Sequence, residues 1–244
     1  MLGRVIYERG RGKSRLEGER IGPLAVKAVT LFDPPGQPFW RVRGRVHRME
    51  RLLLRAGVSR VILPVGFPYE AELRSLRPVD PLPLYRAHAD LLALGALAEM
   101  GLAAEDSVVA LSGLRVSPEL ARAAERLCPV VRGVALRVEE GGAVWAERLF
   151  QRYGMPEFPP ERADLTVAFG PSKKEWGRVL PLYRPEFRSL GIRLRAEGWE
   201  LPARWADGLL TALWEQGRLN RGAMRAGFSM PLDKWDQSTY NSIE

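Results

Sequence analysis

Residues 107–170 alternate short apolar runs with segments of helical periodicity, and this alternation limits the folds that the chain can adopt. The apolar runs lie at 107–111, 134–138 and 165–169, and turn residues bound each of them. Between the first two runs, Ser117 precedes a proline and can act as a helix N-cap. Strands that alternate with helices favour a parallel sheet, because each helix returns the chain to the same end of the sheet. We therefore predict an α/β fold with a Rossmann-like, doubly wound, mainly parallel sheet.

A fourth apolar run, residues 60–64, has the composition of a strand that is buried on both faces. We predict that it joins the same sheet as the other three runs. Further β-type segments flank this region, so we divide the chain into three parts. They are a basic, β-rich N-terminal segment, a Rossmann-like core and a C-terminal β/α extension that packs on the core, at residues 1–36, 37–170 and 171–244.

The net charge of +8 is concentrated near the N-terminus. Residues 1–60 contain 14 basic and 5 acidic side chains, whereas residues 61–244 contain 23 and 24. Of the basic residues, 32 are arginines and 5 are lysines, a skew typical of proteins from GC-rich bacterial genomes. The total charge is therefore partly a matter of composition, and its position along the chain says more about function.

Part of the basic excess lies on one predicted helix, which ends at Gly57. Its apolar stripe consists of Phe39, Val42, Val46, Met49, Leu53 and Ala56. A different arc of this helix, without an acidic residue, carries Arg41, Arg45, Arg48 and Arg55. Because the guanidinium group matches phosphate oxygens, these four arginines are candidates for anion binding. The alternative is a solvated helix face, against which acids such as Glu70 or Glu72 could fold.

The predicted sheet supplies a second candidate site. Ligands of open α/β sheets bind beyond the carboxyl ends of the strands. In this chain those ends carry Gly66, Ser112, Gly113, Arg115, Glu139, Glu140, Ser172 and Lys173. We expect several of these residues to line any ligand pocket.

The Ser112-Gly113 turn lies where a Rossmann fold binds the phosphates of a nucleotide cofactor. A full fingerprint has three glycines, and only Gly113 is present here. Glu139 and Glu140 follow Gly113 by 26 and 27 residues, compared with about 20 for the acid that binds the ribose. A nucleotide-type cofactor would thus bind at a degenerate loop, and a scaffold turn is the simpler interpretation.

Other motifs are incomplete. Gly10–Ser14 resembles the end of a phosphate-binding P-loop, but Tyr7 occupies the position of a required glycine. The single cysteine, Cys128, excludes a disulfide framework, and the sequence shows no base that would activate it. His47 and His88 lie on separate predicted helices, and the sequence does not indicate the carboxylate partner that a two-histidine metal site would need, so we predict no metal site.

Three functional hypotheses follow, in decreasing order of preference. The protein binds a small ligand or a protein partner through its Rossmann-like core; or it is a dehydrogenase- or methyltransferase-like enzyme with a nucleotide-type cofactor; or it binds nucleic acid or an anionic surface through its first 60 residues. No catalytic motif identifies an enzyme, and nothing indicates an oligomeric state. The sequence contains neither a membrane-spanning run nor a signal peptide, so the cytoplasm is the expected location.

Overall fold

The chain divides into two structural units in the computed structural model, which describes residues 1–64, 66–156, 158–171, 176–184, 192–202 and 205–228. Unit 1 comprises Met1–Pro81 and Gly198–Leu219, and unit 2 comprises Leu82–Glu197 and the residues from Asn220 onward. The segments of the two units thus alternate along the sequence, and the larger segment of unit 2 separates the two segments of unit 1. The domain boundaries that we predict after residues 36 and 170 fall inside these units, and the three-part division stays a prediction.

The described residues contain eleven strands and six α-helices. The strands of unit 1 are β1 (Leu2–Arg9), β2 (Leu16–Ile21), β3 (Leu24–Asp33), β4 (Arg60–Ile62) and β5 (Arg77–Pro78). Those of unit 2 are β6 (Val108–Arg115), β7 (Gly133–Glu140), β8 (Leu165–Ala168), β9 (Arg178–Pro181), β10 (Ile192–Ala196) and β11 (Met224–Phe228). The helices are α1 (Phe39–Arg55) in unit 1, then α2 (Leu82–Ala87), α3 (Ala89–Glu99), α4 (Pro118–Leu127) and α5 (Gly142–Tyr153) in unit 2, and finally α6 (Ala206–Glu215) in unit 1.

The sheet of unit 1 has the strand order β2-β3-β1-β4-β5. The strands β3, β1, β4 and β5 run parallel, and β2 pairs with β3 in the antiparallel direction. Tyr7 on β1 lies opposite Leu31 on β3, and Leu2 lies opposite Arg60 on β4. Because β1 lies between β3 and β4, the helix α1 that joins these two strands must pass β1.

Helices cover both faces of this sheet. Met49 and Leu53 of α1 pack in one buried cluster with Val61 of β4. The next residue along β4, Ile62, points to the opposite face, because side chains alternate along a strand. A Cβ atom on Gly208 of α6 would lie 2.6 Å from the side chain of Ile62, so the glycine permits α6 to approach the sheet this closely.

The main sheet of unit 2 is fully parallel, with the order β7-β6-β8-β9, and β10 and β11 form a separate antiparallel pair. Val109 on the inner strand β6 lies opposite Val134 on one side and Leu165 on the other. The helix α4 packs on the face that carries Gly113, where a Cβ atom would lie 3.5 Å from the side chain of Leu120. The buried residues of this sheet are mainly Val, Ala and Leu.

The architecture confirms the coarser part of the predicted fold class, a mixed α/β fold with mainly parallel sheets, and the three apolar runs of residues 107–170 form one parallel sheet. The N-cap of α4 is also confirmed, since the Ser117 hydroxyl accepts a hydrogen bond of 3.2 Å from the backbone N–H of Leu120. The prediction that residues 60–64 join this sheet is wrong. The strand β4 pairs instead with β1 and β5 in unit 1, because the composition of a short strand records its burial but not the sheet that buries it.

Candidate functional site

The helix α1 packs its apolar residues against the sheet of unit 1 and turns its arginines outward. The residues that it buries are Val42, Val46, Met49, Glu50 and Leu53. An open cleft of about 460 Å³ follows its outer surface and is lined by Gln37, Trp40, Arg41, Gly44, Arg45 and Arg48. We call this the arginine cleft. It contains three of the four predicted anion-binding arginines, whereas Arg55 is exposed in the last turn of α1 and does not line it.

None of the four predicted arginines forms an ion pair with a carboxylate in the described part of the chain. Glu72 pairs instead with Arg43, with 2.7 Å between the carboxylate and Nε. Glu50, the acidic residue of α1 itself, is buried and accepts hydrogen bonds from backbone N–H groups. The positive charge of the arginine cleft is therefore not neutralised by the described acids.

Neighbouring groups hold two of the cleft arginines in place. Arg45 is half-buried and donates a hydrogen bond of 3.0 Å to the backbone carbonyl of Phe32. The guanidinium group of Arg41 lies 5.0 Å from the centre of the Trp40 ring, within the range of a cation–π interaction. Between them Gly44 has no side chain, and a Cβ atom there would meet nothing within 4 Å. The cleft is thus open above the backbone at Gly44, and the side chains of Arg41 and Arg45 line it.

The sequence analysis did not include two large exposed aromatic side chains at the start of α1 among the candidate site residues. Phe39 is 57% exposed and Trp40 is 65% exposed. Helical periodicity places Phe39 in the buried stripe, but that prediction is wrong, since the first buried residue of α1 is Val42. Adjacent exposed aromatic side chains are typical of an interaction surface. The signal that could have found them is a Phe-Trp pair placed directly before an arginine-rich segment.

A hydrogen-bonded cluster lies near the carboxyl ends of β1 and β3. The hydroxyls of Tyr7 and Tyr69 each donate to Oδ2 of Asp33 at 2.6 Å. The bond to Asp33, with burial, raises the pKa of Tyr7, and burial, with the bond to Asp33, raises the pKa of Tyr69. Both hydroxyls therefore stay protonated at neutral pH and act as donors rather than as bases. The Tyr69 ring also contacts Phe39, with 6.4 Å between ring centres.

The strands β6 and β7 bring five predicted ligand-binding residues to the carboxyl edge of the unit 2 sheet: Ser112, Gly113, Arg115, Glu139 and Glu140. The first two are buried, and the other three are exposed. Arg115 lies opposite Glu140 in the pairing of the two strands. Gly66 belongs to unit 1, and Ser172 and Lys173 lie outside the described residues.

Ser112 has the most unusual environment of this group. It is 1% exposed, and its hydroxyl oxygen has no hydrogen-bond partner among the described residues. Its neighbours across the sheet are Arg137 on β7 and Ala168 on β8, and the guanidinium of Arg137 lies 5.4 Å from the centre of the Trp176 ring.

A second open cleft, of about 400 Å³, contains none of the predicted residues and is lined by Glu125, Trp145, Arg148, Leu149, Gln151 and Arg152.

The remaining sequence candidates show no reactive geometry. Burial raises the pKa of the Cys128 thiol to about 11, so it stays neutral at physiological pH. In the Gly10–Ser14 turn, the Phe32 ring occupies the space beside Gly12, where a Cβ atom would lie 2.5 Å from it. The described residues place no group of three or more His, Cys, Asp or Glu side chains where they could hold a metal ion.

No family model matches the chain, and no curated protein matches it. Within the described ranges, no helix has both the length and the apolar character needed to cross a lipid bilayer. The fold and the site therefore define a two-unit α/β protein that carries an open arginine cleft on the outer face of one helix.

Proposed function

We propose that this protein binds nucleic acid through the arginine cleft on α1. The observation that carries the proposal is the grouping of Arg41, Arg45 and Arg48 around one open cleft without a carboxylate partner among the described residues. Guanidinium groups bind phosphate oxygens in a fork geometry, and the phosphates of a nucleic-acid strand offer such oxygens in succession. Trp40 adds an exposed aromatic ring beside these charges.

The structural features favour this hypothesis over the one that the sequence ranks first. Ligand binding at the carboxyl edge of the unit 2 sheet rests on one feature of the described residues, the unpartnered hydroxyl of Ser112. The arginine cleft combines an open shape, uncompensated charge and aromatic surface at one place.

A paired charge removal tests the proposal. We expect Arg41→Ala/Arg48→Ala to weaken binding of a labelled oligonucleotide about tenfold near 0.1 M salt, equivalent to about 1.4 kcal/mol. The slope of log K against log salt should also become shallower by about 1.4 for a single strand, since each phosphate contact contributes about 0.7. Fluorescence anisotropy across a salt series measures both quantities.

The matched control is Arg51→Ala/Arg55→Ala, which removes the same charge from exposed positions on the same helix outside the cleft. This variant should keep a wild-type slope to within about 0.3, because charges outside the site contribute only through the general field. Equal losses in the two variants would mean that net charge, rather than the cleft, binds the oligonucleotide, and the proposal would be wrong.

A second candidate function rests on the unpartnered hydroxyl of Ser112 at the carboxyl end of β6. Here a small ligand of the nucleotide type would bind at the edge of the unit 2 sheet, as predicted from the Ser112-Gly113 turn. A dinucleotide or S-adenosylmethionine present at about ten times its Kd should stabilise the native state by about 1.4 kcal/mol. Differential scanning fluorimetry of wild type and Ser112→Ala measures this. An unchanged melting temperature with every ligand of the panel removes the candidate.

We also propose that the sheet of unit 2 has a doubly wound, Rossmann-like topology, as ligand binding at its carboxyl edge would require. Its support is the fully parallel sheet with the order β7-β6-β8-β9, in which the chain moves from β6 to one neighbour and then to the other. The cytoplasmic location predicted from the sequence also stays a prediction.

A further inference from the structure

The first turn of α1 carries an aromatic pair that the charge of the arginine cleft does not explain. Phe39 and Trp40, which we call the aromatic platform, are 57% and 65% exposed. Contact with phosphates requires no exposed aromatic surface. An aromatic ring that stays exposed to water also forgoes the free energy that its burial would contribute to folding. The platform therefore indicates a ligand that has flat apolar surface as well as negative charge.

Phe39 is held on a rigid support. Its ring lies 6.4 Å from that of Tyr69, with 38° between the ring planes. Tyr69 is fixed in turn by its hydrogen bond of 2.6 Å to Asp33 and by an edge contact with Phe67, whose ring centre lies 5.9 Å away. An exposed ring that is supported in this way loses little freedom when a ligand stacks on it, so binding costs less entropy.

Trp40 joins the platform to the cleft. The guanidinium group of Arg41 lies 5.0 Å from the centre of its ring, and the Trp40 side chain lines the same cleft as Arg48. A positively charged groove with aromatic rings beside it is the arrangement by which proteins bind single strands, whose bases stack on the rings while the phosphates contact the charges. In a duplex the bases are already stacked and paired, so the rings could be used only after unpairing.

We infer that the arginine cleft takes single-stranded rather than duplex nucleic acid, with unpaired bases stacked on Phe39 and Trp40. This inference rests on the proposed function, because the phosphates are bound by the same arginines. The aromatic platform supplies binding that does not depend on charge, whereas the arginines supply the part that salt weakens. Tyr69 supports the aromatic platform through its ring contact with Phe39.

The two contributions can be separated by their salt dependence. We expect Phe39→Ala/Trp40→Ala to weaken binding of a labelled oligothymidylate of about 20 nucleotides by about tenfold or more, as stacking contributions of this kind do. The slope of log K against log salt should stay close to that of the wild type, because the three cleft arginines keep their charges. Phe39→Leu/Trp40→Leu, which keeps apolar surface in the first turn, should show the same loss and guards against a folding defect.

The matched control is Phe150→Ala, which removes a ring of the same 57% exposure from α5 in unit 2 and should leave binding unchanged. Three probes are compared by fluorescence anisotropy: the oligothymidylate, its duplex with oligoadenylate, and an abasic strand of the same length. The wild type should bind the first most tightly, and the platform variants should bind it as weakly as the wild type binds the abasic strand.

Each outcome decides between the two proposals. If no probe binds the wild type, the proposed function itself fails. The single-strand inference is overturned if the duplex or the abasic strand binds as tightly as the oligothymidylate. It is also overturned if the platform variants bind like the wild type while Arg41→Ala/Arg48→Ala does not. In both cases the proposed binding of nucleic acid by the arginine cleft stands.

Discussion

Arg221→Met is expected to lower the free energy of unfolding by about 3 kcal/mol, because it leaves a buried carboxylate without its nearest counter-charge. The side chain of Asp90 on α3 is only 2% exposed. Nη2 of Arg221 donates directly to its Oδ2, and Nη1 of Arg126 lies 3.5 Å from its Oδ1. Arg126 is too distant to replace the lost hydrogen bond at Oδ2, so the charge of Asp90 would stay poorly compensated in the core of unit 2.

Replacing the carboxylate instead of the arginine should lower the free energy of unfolding by less. Asp90→Asn removes the buried charge and leaves two arginines whose side chains are 38% and 37% exposed, so water can solvate them. We expect a loss of about 1.5 kcal/mol, the order of one hydrogen bond to a charged group. Urea denaturation of the single variants and of Asp90→Asn/Arg221→Met completes a double-mutant cycle, in which the double variant should be less than additive.

Arg122→Met serves as the control for replacing an arginine by methionine. It removes an exposed ion pair within α4, in which Arg122 and Glu119 lie 3.4 Å apart, and should change stability by less than about 0.5 kcal/mol. If Asp90→Asn proves more destabilising than Arg221→Met, the carboxylate is not the group whose burial matters, and this account of the cluster is wrong.

Glu50→Ala is expected to destabilise unit 1 by about 2–3 kcal/mol, since one buried carboxylate oxygen joins α1 to the segment before β5. Oε1 of Glu50 accepts hydrogen bonds from the backbone N–H groups of Arg74, Ser75 and Leu76, at 2.8, 2.6 and 3.1 Å. Glu50→Gln keeps an acceptor oxygen and should lose about 1 kcal/mol. As a control, Glu72→Ala removes a carboxylate that pairs at the surface with Arg43 and should have an effect below about 0.5 kcal/mol.

The same carboxylate should make the protein sensitive to acid. Burial acts to raise the pKa of Glu50, but the three backbone N–H groups and His47 outweigh it and hold the pKa below its ordinary value of 4.5. Between the lowered folded pKa and the ordinary unfolded pKa, the unfolded chain binds more protons. The contribution of Glu50 is therefore complete at neutral pH and is lost as the pH falls below about 4.5.

Melting temperatures measured from pH 7 to pH 3 test this directly. The wild type should lose stability more steeply than Glu50→Gln below pH 4.5, because the variant has no proton to take up at this position. Parallel curves for the two proteins would show that other acids account for the acid sensitivity.

Local patterns in the sequence predict local structure well in this chain. The spacing of apolar residues predicts a helix to Ala56, and α1 extends from Phe39 to Arg55. Its arginine face is also predictable, because residues that share an arc of a helix share a side of it. Phe39 fails this rule, since an apolar residue in the first turn need not lie above the sheet.

Contacts between distant parts of the chain are not encoded in such patterns. Tyr7 and Tyr69 are 26 and 36 residues from Asp33, and nothing in their local sequence indicates that they converge on one carboxylate. The same holds for Asp90 and Arg221, which are 131 residues apart. Of the carboxyl-edge residues, the pairing of Arg115 with Glu140 follows from the predicted parallel strands, whereas the unpartnered hydroxyl of Ser112 depends on packing.

The division of unit 1 into two segments has a consequence for synthesis on the ribosome. The face of its sheet that carries Ile62 is covered by α6, which begins at Ala206. The strands and α1 have all been synthesised by residue 81, but α6 follows only after the greater part of unit 2 has been made. At the usual 5–20 residues per second, about 6–25 seconds separate these events. During that interval the sheet face that carries Ile62 lacks the helix that covers it in the folded protein, so unit 1 cannot complete its fold before most of unit 2 has been made.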